Sequence, residues 1–262
     1  MRMLITAVTV LAVAHVAQSN GIAQADILVD FGEPETVLGM PNFTYDPTPS
    51  PDPFLGKYWI NGAMAGDGEP NTVTVFNDLV DSAGNVLTGT SMSVTGFSTD
   101  SGYEEGAERP CNGVDAEVIY PRTAQRDYVG CKYALDPNDA NATVGIVTFS
   151  GLTEPEYTIK IFGSLWSDPD KSWYNDDNRR NLHTVGNVSK VLHCFDNTSD
   201  TVSFYNIAPV NGEITILTTG AEPGGDWTYS YGYLSAMELI IPEPTTLALL
   251  AAGVFGVTRR RR

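Results

Sequence analysis

The stretch Tyr157–Phe162, with the sequence YTIKIF, is rich in β-branched and aromatic residues and follows the turn-forming segment TEPE. Such composition between turn signals is typical of a β-strand. Eight more segments share these properties: Ile27–Phe31, Thr72–Phe76, Met92–Phe97, Val114–Tyr120, Val144–Phe149, Thr201–Tyr205, Glu213–Leu217 and Tyr233–Ile240. Outside the two ends of the chain, no apolar period of 3.6 residues lasts for three turns. The sequence therefore predicts an all-β protein, with two antiparallel sheets packed as a β-sandwich.

Composition and charge exclude several classes of protein. The chain has 262 residues, of which 42% are hydrophobic, and a formal net charge of −17. A disordered tail would be poorer in apolar residues, a collagen-like rod would show a glycine period, and a nucleic-acid binder would rarely be so acidic. Between residues 26 and 241 there are 10 basic and 31 acidic residues, a net charge of −21. This field disfavours nucleic acid and anionic membranes as partners and favours divalent cations.

The N-terminus has the pattern of a secretory signal peptide. A short basic start, Met1-Arg2, precedes the almost uninterrupted apolar run Met3–Ala17. Ala23 and Ala25 then supply the small residues that signal peptidase needs at its cleavage site. We predict a signal-peptide helix within residues 1–25. The alternative, a membrane anchor, is weaker because the apolar run is shorter than the roughly 20 residues that cross a bilayer.

The C-terminus contains a second targeting element. Pro242, Glu243 and Pro244 are followed by Thr245–Thr258, a segment without charge. As a helix these residues would span about 21 Å, so they would cross a bilayer only with local thinning or with snorkelling of the terminal arginines. The chain then ends with four arginines, which hold such a tail on the cytoplasmic side: Arg259, Arg260, Arg261 and Arg262.

The order of these C-terminal features, triplet, TTLALLAAGVFGV segment and arginine cluster, resembles the PEP-CTERM sorting signal of Gram-negative bacteria. The resemblance covers residues 242–262. It implies recognition by an exosortase, an integral-membrane protease thought to cut near the triplet, with transient membrane anchoring before release or attachment at the cell surface. An ordinary C-terminal tail anchor is the alternative.

Residues 26–241 are predicted to form a single domain. Five segments of it, in order, resemble the β-sandwich domains of uncharacterised PEP-CTERM proteins, which are similar to galactose-binding and carbohydrate-binding jelly rolls. These segments are residues 120–130, 151–164, 176–187, 197–216 and 231–240. The resemblance implies that Tyr157–Gly163 is a core strand and that Asn178-Arg179 closes the long loop that follows it.

Alternating strand directions locate a candidate ligand site. The strands used for this argument are predicted near 157–163, 182–186, 190–195, 201–206, 212–218 and 232–240. If they alternate in direction, the loops 164–181, 196–200 and 219–231 share one end of the sandwich. Sugars stack their C–H faces on aromatic rings, and their hydroxyl groups pair with carboxylates, amides and guanidinium groups. The candidate residues in these loops are Trp166, Trp173, Tyr174, Asp177, Asn178, Arg179, Trp227 and Tyr229. The alternative is that the aromatic rings cap the core and that Asp177 pairs with Arg179 or Arg180.

The cysteines fit an exported protein. Cys111 and Cys131 lie 20 residues apart and are predicted to form a disulfide worth on the order of 3 kcal/mol. Cys194 lies in an apolar-alternating run and is expected to be a buried, inert thiol.

Metal binding and catalysis have weaker support. Two Asp/Asn clusters, one at 136–141 and one at 168–177, leave calcium open as a ligand, but neither has EF-hand spacing and solvated turn carboxylates are the alternative. His183 and His193 lie in or beside strands without a nucleophile motif nearby. No cofactor, catalytic residue or P-loop is predicted, and the metal content is left open.

We therefore expect a non-catalytic, exported cell-surface or extracellular-matrix protein that binds polysaccharide through its aromatic loops. Signal peptidase and exosortase are its predicted processing partners. Two alternatives stay open, a purely structural surface protein without ligand and a glycoside hydrolase. The hydrolase would need two carboxyl groups about 5–10 Å apart across a cleft.

Overall fold

The computed structural model describes residues 26–31, 57–60, 73–97, 129–134, 143–164, 180–194, 197, 199–221 and 229–242. The described residues from 26 to 241 belong to one compact unit. Among the described residues there is no helix, and hence none long and apolar enough to cross a membrane.

The described residues form strands that pair antiparallel. In chain order they are β1 (Asp26–Asp30), β2 (Thr74–Asn77), β3 (Ser91–Thr95), β4 (Val129–Ala134), β5 (Gly145–Ser150), β6 (Tyr157–Phe162), β7 (Arg180–Val185), β8 (Val188–His193), β9 (Val202–Ile207), β10 (Ile214–Gly220), β11 (Tyr229–Leu234) and β12 (Ala236–Ile240). The predicted all-β class is confirmed for this part of the chain.

Three sheets result from this pairing. The four-stranded sheet has the order β1-β12-β6-β9, the six-stranded sheet has the order β2-β3-β5-β10-β7-β8, and β11 pairs with β4. The chain crosses between the two large sheets repeatedly after β5, because β6, β9 and β12 belong to one and β7, β8 and β10 to the other.

The two large sheets share one hydrophobic core. Alternate residues of β5 and β10 are buried, as expected for strands with one face on the core. Phe149 and Ile216 from the six-stranded sheet belong to the same buried cluster as Ile159, Phe204 and Leu239 from the four-stranded sheet. This shared core is consistent with the predicted sandwich.

Strand positions agree with the sequence prediction to within about three residues, with two informative exceptions. The segment Tyr233–Ile240, predicted as one strand, is divided at Ser235 into β11 and β12, which lie in different sheets. The composition of an apolar run does not indicate which sheet its residues join, so the division at Ser235 could not be predicted. The strand β4 was not predicted, and the predicted strand Val114–Tyr120 lies outside the described residues.

Lys190 connects the edges of the two large sheets. The edge strand β8 carries this lysine, whose Nζ donates a hydrogen bond to the Ser203 carbonyl of the edge strand β9. Its ammonium group also lies 5.4 Å from the centre of the Phe204 ring and 5.9 Å from that of Tyr205, within cation–π range.

Candidate functional site

Three of the strands that flank the predicted loops, β7, β8 and β10, have their loop-side ends at one end of the six-stranded sheet. Arg180, the first residue of β7, is opposite His193, the last of β8. Asn181 is opposite Gly220, the last residue of β10, and Ala221 donates its amide hydrogen to the Arg180 carbonyl at 2.8 Å. The chain segments that follow β8 and β10 and the one that precedes β7 therefore start or finish together, as alternating strand directions predict.

Asn197 ties two of these segments together. Its Nδ2 donates to the carbonyl oxygens of Gly163, at 3.0 Å, and Asp200, at 2.8 Å. Its Oδ1 accepts from the amides of Ser199 and Asp200, and its own carbonyl accepts from the Ser164 hydroxyl at 2.8 Å. Because Asn197 is buried, these bonds also satisfy polar groups that have little contact with water. The end of β6 and the segment between β8 and β9 are thus held side by side.

Ser235 fixes the point where the chain passes from β11 to β12. Its amide donates to the Phe162 carbonyl at 3.1 Å, and its hydroxyl accepts from the Ser164 amide at 3.0 Å. Its carbonyl accepts from the Phe31 amide at 2.8 Å. One buried serine therefore connects the ends of β1, β6 and β11 at the same end of the molecule.

Asn181 joins β7 to β11 across the layers. Its side-chain amide acts like the backbone of a neighbouring strand, because Nδ2 donates to the Tyr233 carbonyl and Oδ1 accepts from the Tyr233 amide at 2.9 Å. Gly163 packs against this pair, and a Cβ there would lie 2.6 Å from both Asn181 Nδ2 and Tyr233 O. Only glycine leaves room for the amide bridge at this position.

A second set of buried side chains in polar contact consists of His183 on β7, Thr218 on β10 and Cys131 on β4. Thr218 Oγ1 lies 3.0 Å from His183 Nδ1, and the Thr218 carbonyl accepts a hydrogen bond from the Cys131 thiol at 3.0 Å. His183 Nε2 is buried without a hydrogen-bond partner. The strand β11 approaches closely here, since a Cβ on Gly232 would lie 2.5 Å from the Thr219 carbonyl carbon.

Burial sets the protonation of both titratable groups in this cluster. Desolvation lowers the pKa of His183 to about 3 and raises the pKa of the Cys131 thiol to about 11. At neutral pH the imidazole and the thiol are therefore both uncharged. Through the contacts of Thr218 with His183 and with Cys131, the cluster links β10 to β7 and to β4.

The predicted ligand residues Trp166, Trp173, Tyr174, Asp177, Asn178, Arg179 and Trp227 lie outside the described residues. Tyr229 is the first residue of β11, where its backbone lies opposite Ala134. Polysaccharide binding by these residues stays a prediction.

The other predicted sites have similar outcomes. Cys131 has a free thiol in the structure, and its predicted partner Cys111 lies outside the described residues, so the disulfide stays a prediction. Cys194 is fully buried, as predicted. Ala23, Ala25, both acidic clusters and the sorting residues after Pro242 also lie outside the described part. Within that part, no group of three or more His, Cys, Asp and Glu side chains is placed to hold a metal ion.

Sequence reasoning missed Asn181, Asn197 and Ser235 as the residues that hold this end of the protein together. In β7, with the sequence RNLHTV, the buried positions are Asn181, His183 and Val185. Two of these three buried residues are polar, whereas the buried positions of a strand are usually apolar. Two polar residues at alternate positions of a strand are the only signal, and it is equally consistent with a solvated face.

The described part of the chain defines an all-β protein in which several chain segments meet at one end. A comparison with protein-family models then matched residues 241–262 to the PEP-CTERM protein-sorting motif. The chain carries this motif, which implies processing by an exosortase, export and surface localisation, with membrane anchoring before sorting. Searches of curated proteins and of solved structures returned no match.

Proposed function

We propose that this protein is an exported, exosortase-processed component of the cell surface or extracellular matrix, with signal peptidase removing residues 1–25. The observation that carries the proposal is the PEP-CTERM motif at residues 241–262. Its arginine cluster holds the tail on the cytoplasmic side until the exosortase acts near the Pro242–Pro244 triplet.

The sorting step is tested by replacing Pro242, Glu243 and Pro244 together with alanine. We expect the variant to accumulate in the membrane fraction and to be lost from the surface fraction, as measured by immunoblotting of fractionated cells. Replacing the exposed Glu213 with glutamine changes one carboxylate outside the motif and is expected to leave the distribution unchanged. Unaltered surface delivery of the triplet variant would contradict the proposal.

For the body of the protein we propose a jelly-roll sandwich, similar to galactose-binding domains, that binds polysaccharide at the end where the loop-flanking strand ends meet. The convergence of Arg180, His193 and Gly220 supports this placement, because it gathers the chain segments that contain the predicted aromatic residues. Stacking on several aromatic rings at once is what makes such a site effective for sugars.

Polysaccharide binding is tested by pull-down with insoluble polysaccharides and by a glycan array, with the exported protein and the Trp173→Ala and Trp227→Ala variants. We expect each variant to lose about tenfold in affinity, equivalent to about 1.4 kcal/mol. Tyr205→Ala is the matched control, since Tyr205 is an exposed aromatic residue on β9. Absence of any retained glycan would favour a structural protein without ligand.

We propose that the protein is not an enzyme and has no cofactor. Burial supports this proposal for His183 and Cys131, because a pKa of about 3 makes the imidazole a weak base and a pKa of about 11 keeps the thiol protonated at neutral pH. Release of new reducing ends from a bound polysaccharide would contradict it and favour the glycoside hydrolase.

A further inference from the structure

The side of the six-stranded sheet that faces away from the core has almost no charge. In β3, β5, β7 and β10, the residues on this side alternate with the buried ones. The edge strands β2 and β8 continue it, since Val75 lies opposite Ser93 and Ser189 lies opposite Thr184. We call this side of the sheet the outer face. None of its residues in the six described strands is Asp, Glu or Lys, although residues 26–241 carry a net charge of −21.

Four aliphatic side chains form a connected diagonal across the outer face. Ile146 on β5 is opposite Leu217 on β10, and Leu182 on β7 is opposite Val191 on β8. Leu217 and Leu182 are diagonal neighbours, because Leu217 is opposite Thr184, two residues after Leu182. Leu217 is 37% exposed and Val191 is 47% exposed. Four adjacent strands therefore present an apolar stripe to solvent.

Hydroxyl groups flank this aliphatic diagonal. Thr148 lies opposite Thr215, with their Oγ1 atoms 3.2 Å apart, and Thr184 Oγ1 lies 2.8 Å from Ser189 Oγ. A hydroxyl group can donate one hydrogen bond and accept two, so these groups need no charged partner and keep the capacity to accept further hydrogen bonds. An apolar centre with uncharged polar groups around it has the composition of a protein interface, whose core is depleted of charged residues.

We propose that a second copy of this chain covers the outer face, so that the protein forms a two-fold symmetric dimer. Such a dimer needs a surface that is complementary to itself. A face of carboxylates binds only a face of opposite charge, whereas aliphatic and hydroxyl groups pair with groups of their own kind. Two bodies of net charge −21 repel each other, and this repulsion costs least where no carboxylate lies between them.

Opposite charges at the two ends of the outer face set the orientation of the two copies. Arg180 is the first residue of β7, and it faces outward because the next residue, Asn181, is buried. At the other end Glu213 directly precedes β10 and accepts a hydrogen bond from Ser150 on β5 at 3.2 Å. In a dimer turned end over end, Arg180 of each copy lies at the Glu213 end of the other. These exposed charges favour one orientation and add little affinity.

The outer face is large enough for a specific contact. Its six strands have four to seven residues each. With about 4.8 Å between strands and about 3.3 Å per residue, the face measures roughly 29 Å by 18 Å, or about 500 Å². Two such faces bury about 1,000 Å² in total, which is the least expected of a specific interface. The end-over-end arrangement keeps the strands of the two copies aligned, as sheets packed face to face usually are.

The proposal is tested by analytical ultracentrifugation of the purified protein over a concentration series. We expect Leu217→Glu to raise the dissociation constant of the dimer at least tenfold, because it buries a carboxylate in each copy. Thr215→Glu, at an exposed hydroxyl position of the same strand, is expected to act in the same direction. Tyr205→Glu is the matched control, since it adds the same charge at an exposed residue of the other large sheet. Circular dichroism shows whether each variant is folded.

Salt provides a second readout. Because the two bodies carry the same net charge, screening is expected to lower the dissociation constant of the dimer several-fold between 0.05 and 0.5 M NaCl. A contact held together by ion pairs would weaken over the same range. A dimer that dissociates as the salt concentration rises would therefore overturn the proposal.

Three further outcomes would overturn it. They are a protein that stays monomeric, a dimer that neither Leu217→Glu nor Thr215→Glu weakens, and a dimer that dissociates in the Tyr205→Glu variant. A monomer that loses polysaccharide binding through Leu217→Glu would also overturn it and would assign the outer face to a glycan. Failure of surface sorting would leave the dimer unchanged, so it would count against the proposed function only.

Discussion

Acid is expected to destabilise this protein through His183. Its imidazole is fully buried, and desolvation lowers its pKa from 6.5 to about 3. Between these two pH values the unfolded chain binds one proton more than the folded chain at this site. The free energy of unfolding therefore falls as the pH falls below 6.5, by about 1.4 kcal/mol per pH unit until the folded pKa is reached. At pH 4.5, two units into this window, the loss is about 3 kcal/mol.

The measurement is urea unfolding, followed by circular dichroism at pH 7.5, 6.0 and 4.5, of the wild-type protein and the His183→Gln variant. Glutamine keeps a hydrogen-bonding group beside Thr218 but does not titrate. Since the carboxylates titrate alike in both proteins, the difference between their unfolding free energies isolates His183. We expect it to shift by about 3 kcal/mol in favour of the variant between pH 7.5 and 4.5.

His193→Gln is the matched control, because His193 is exposed at the end of β8. The control is expected to follow the wild type to within about 0.5 kcal/mol across the same range. A difference between wild type and His183→Gln that does not change with pH would refute the reasoning, since it would mean that the folded state accommodates the charged imidazole.

Three further predictions concern the packing at the same end of the molecule. Asn197→Ala removes the hydrogen bonds that hold two chain segments together and is expected to cost about 2–4 kcal/mol in urea unfolding, against less than about 0.5 kcal/mol for the exposed Asn77→Ala. Gly232→Ala places a Cβ 2.9 Å from Cys131 Sγ and against the backbone of β10, and we expect a loss of about 1–3 kcal/mol; an unchanged unfolding midpoint would contradict that close approach. The Cys131 thiol is fully buried with its pKa raised to about 11, so iodoacetamide at pH 8 should label it only after unfolding; a cross-linked Cys111–Cys131 peptide in unreduced digests would show the predicted disulfide instead.

The strands could be predicted from the sequence, but the hydrogen bonds between strands of different sheets could not. Tyr157–Phe162 was predicted with its observed bounds, because its composition and the turn before it agree. Asn181 shows why the rest was missed. A buried asparagine is recognisable only when its partner is known, and that partner is the backbone of Tyr233, 52 residues further along the chain. Backbone groups of distant strands leave no signature in local composition.

The candidate site could likewise be predicted only in part. The common end of the loops could be predicted because strand alternation is a property of the backbone, and the register of β7, β8 and β10 agrees with it. The residues that fix the loop ends could not be predicted. Serine and asparagine at positions 235 and 197 have the composition of ordinary turns, and only the structure shows that both are buried.

Lys190 affects whether the edge strand β8 can pair with a strand of a neighbouring copy of the protein. An edge strand such as β8 can pair with the edge strand of a neighbouring molecule through its unpaired amides and carbonyls. Proteins anchored to one surface meet their neighbours more often than dilute proteins do. Lys190 on this strand reaches across to β9, so the edge strands of the two large sheets are connected and a positive charge lies between them. We expect this contact to hinder the pairing of β8 with a strand of another copy of the protein.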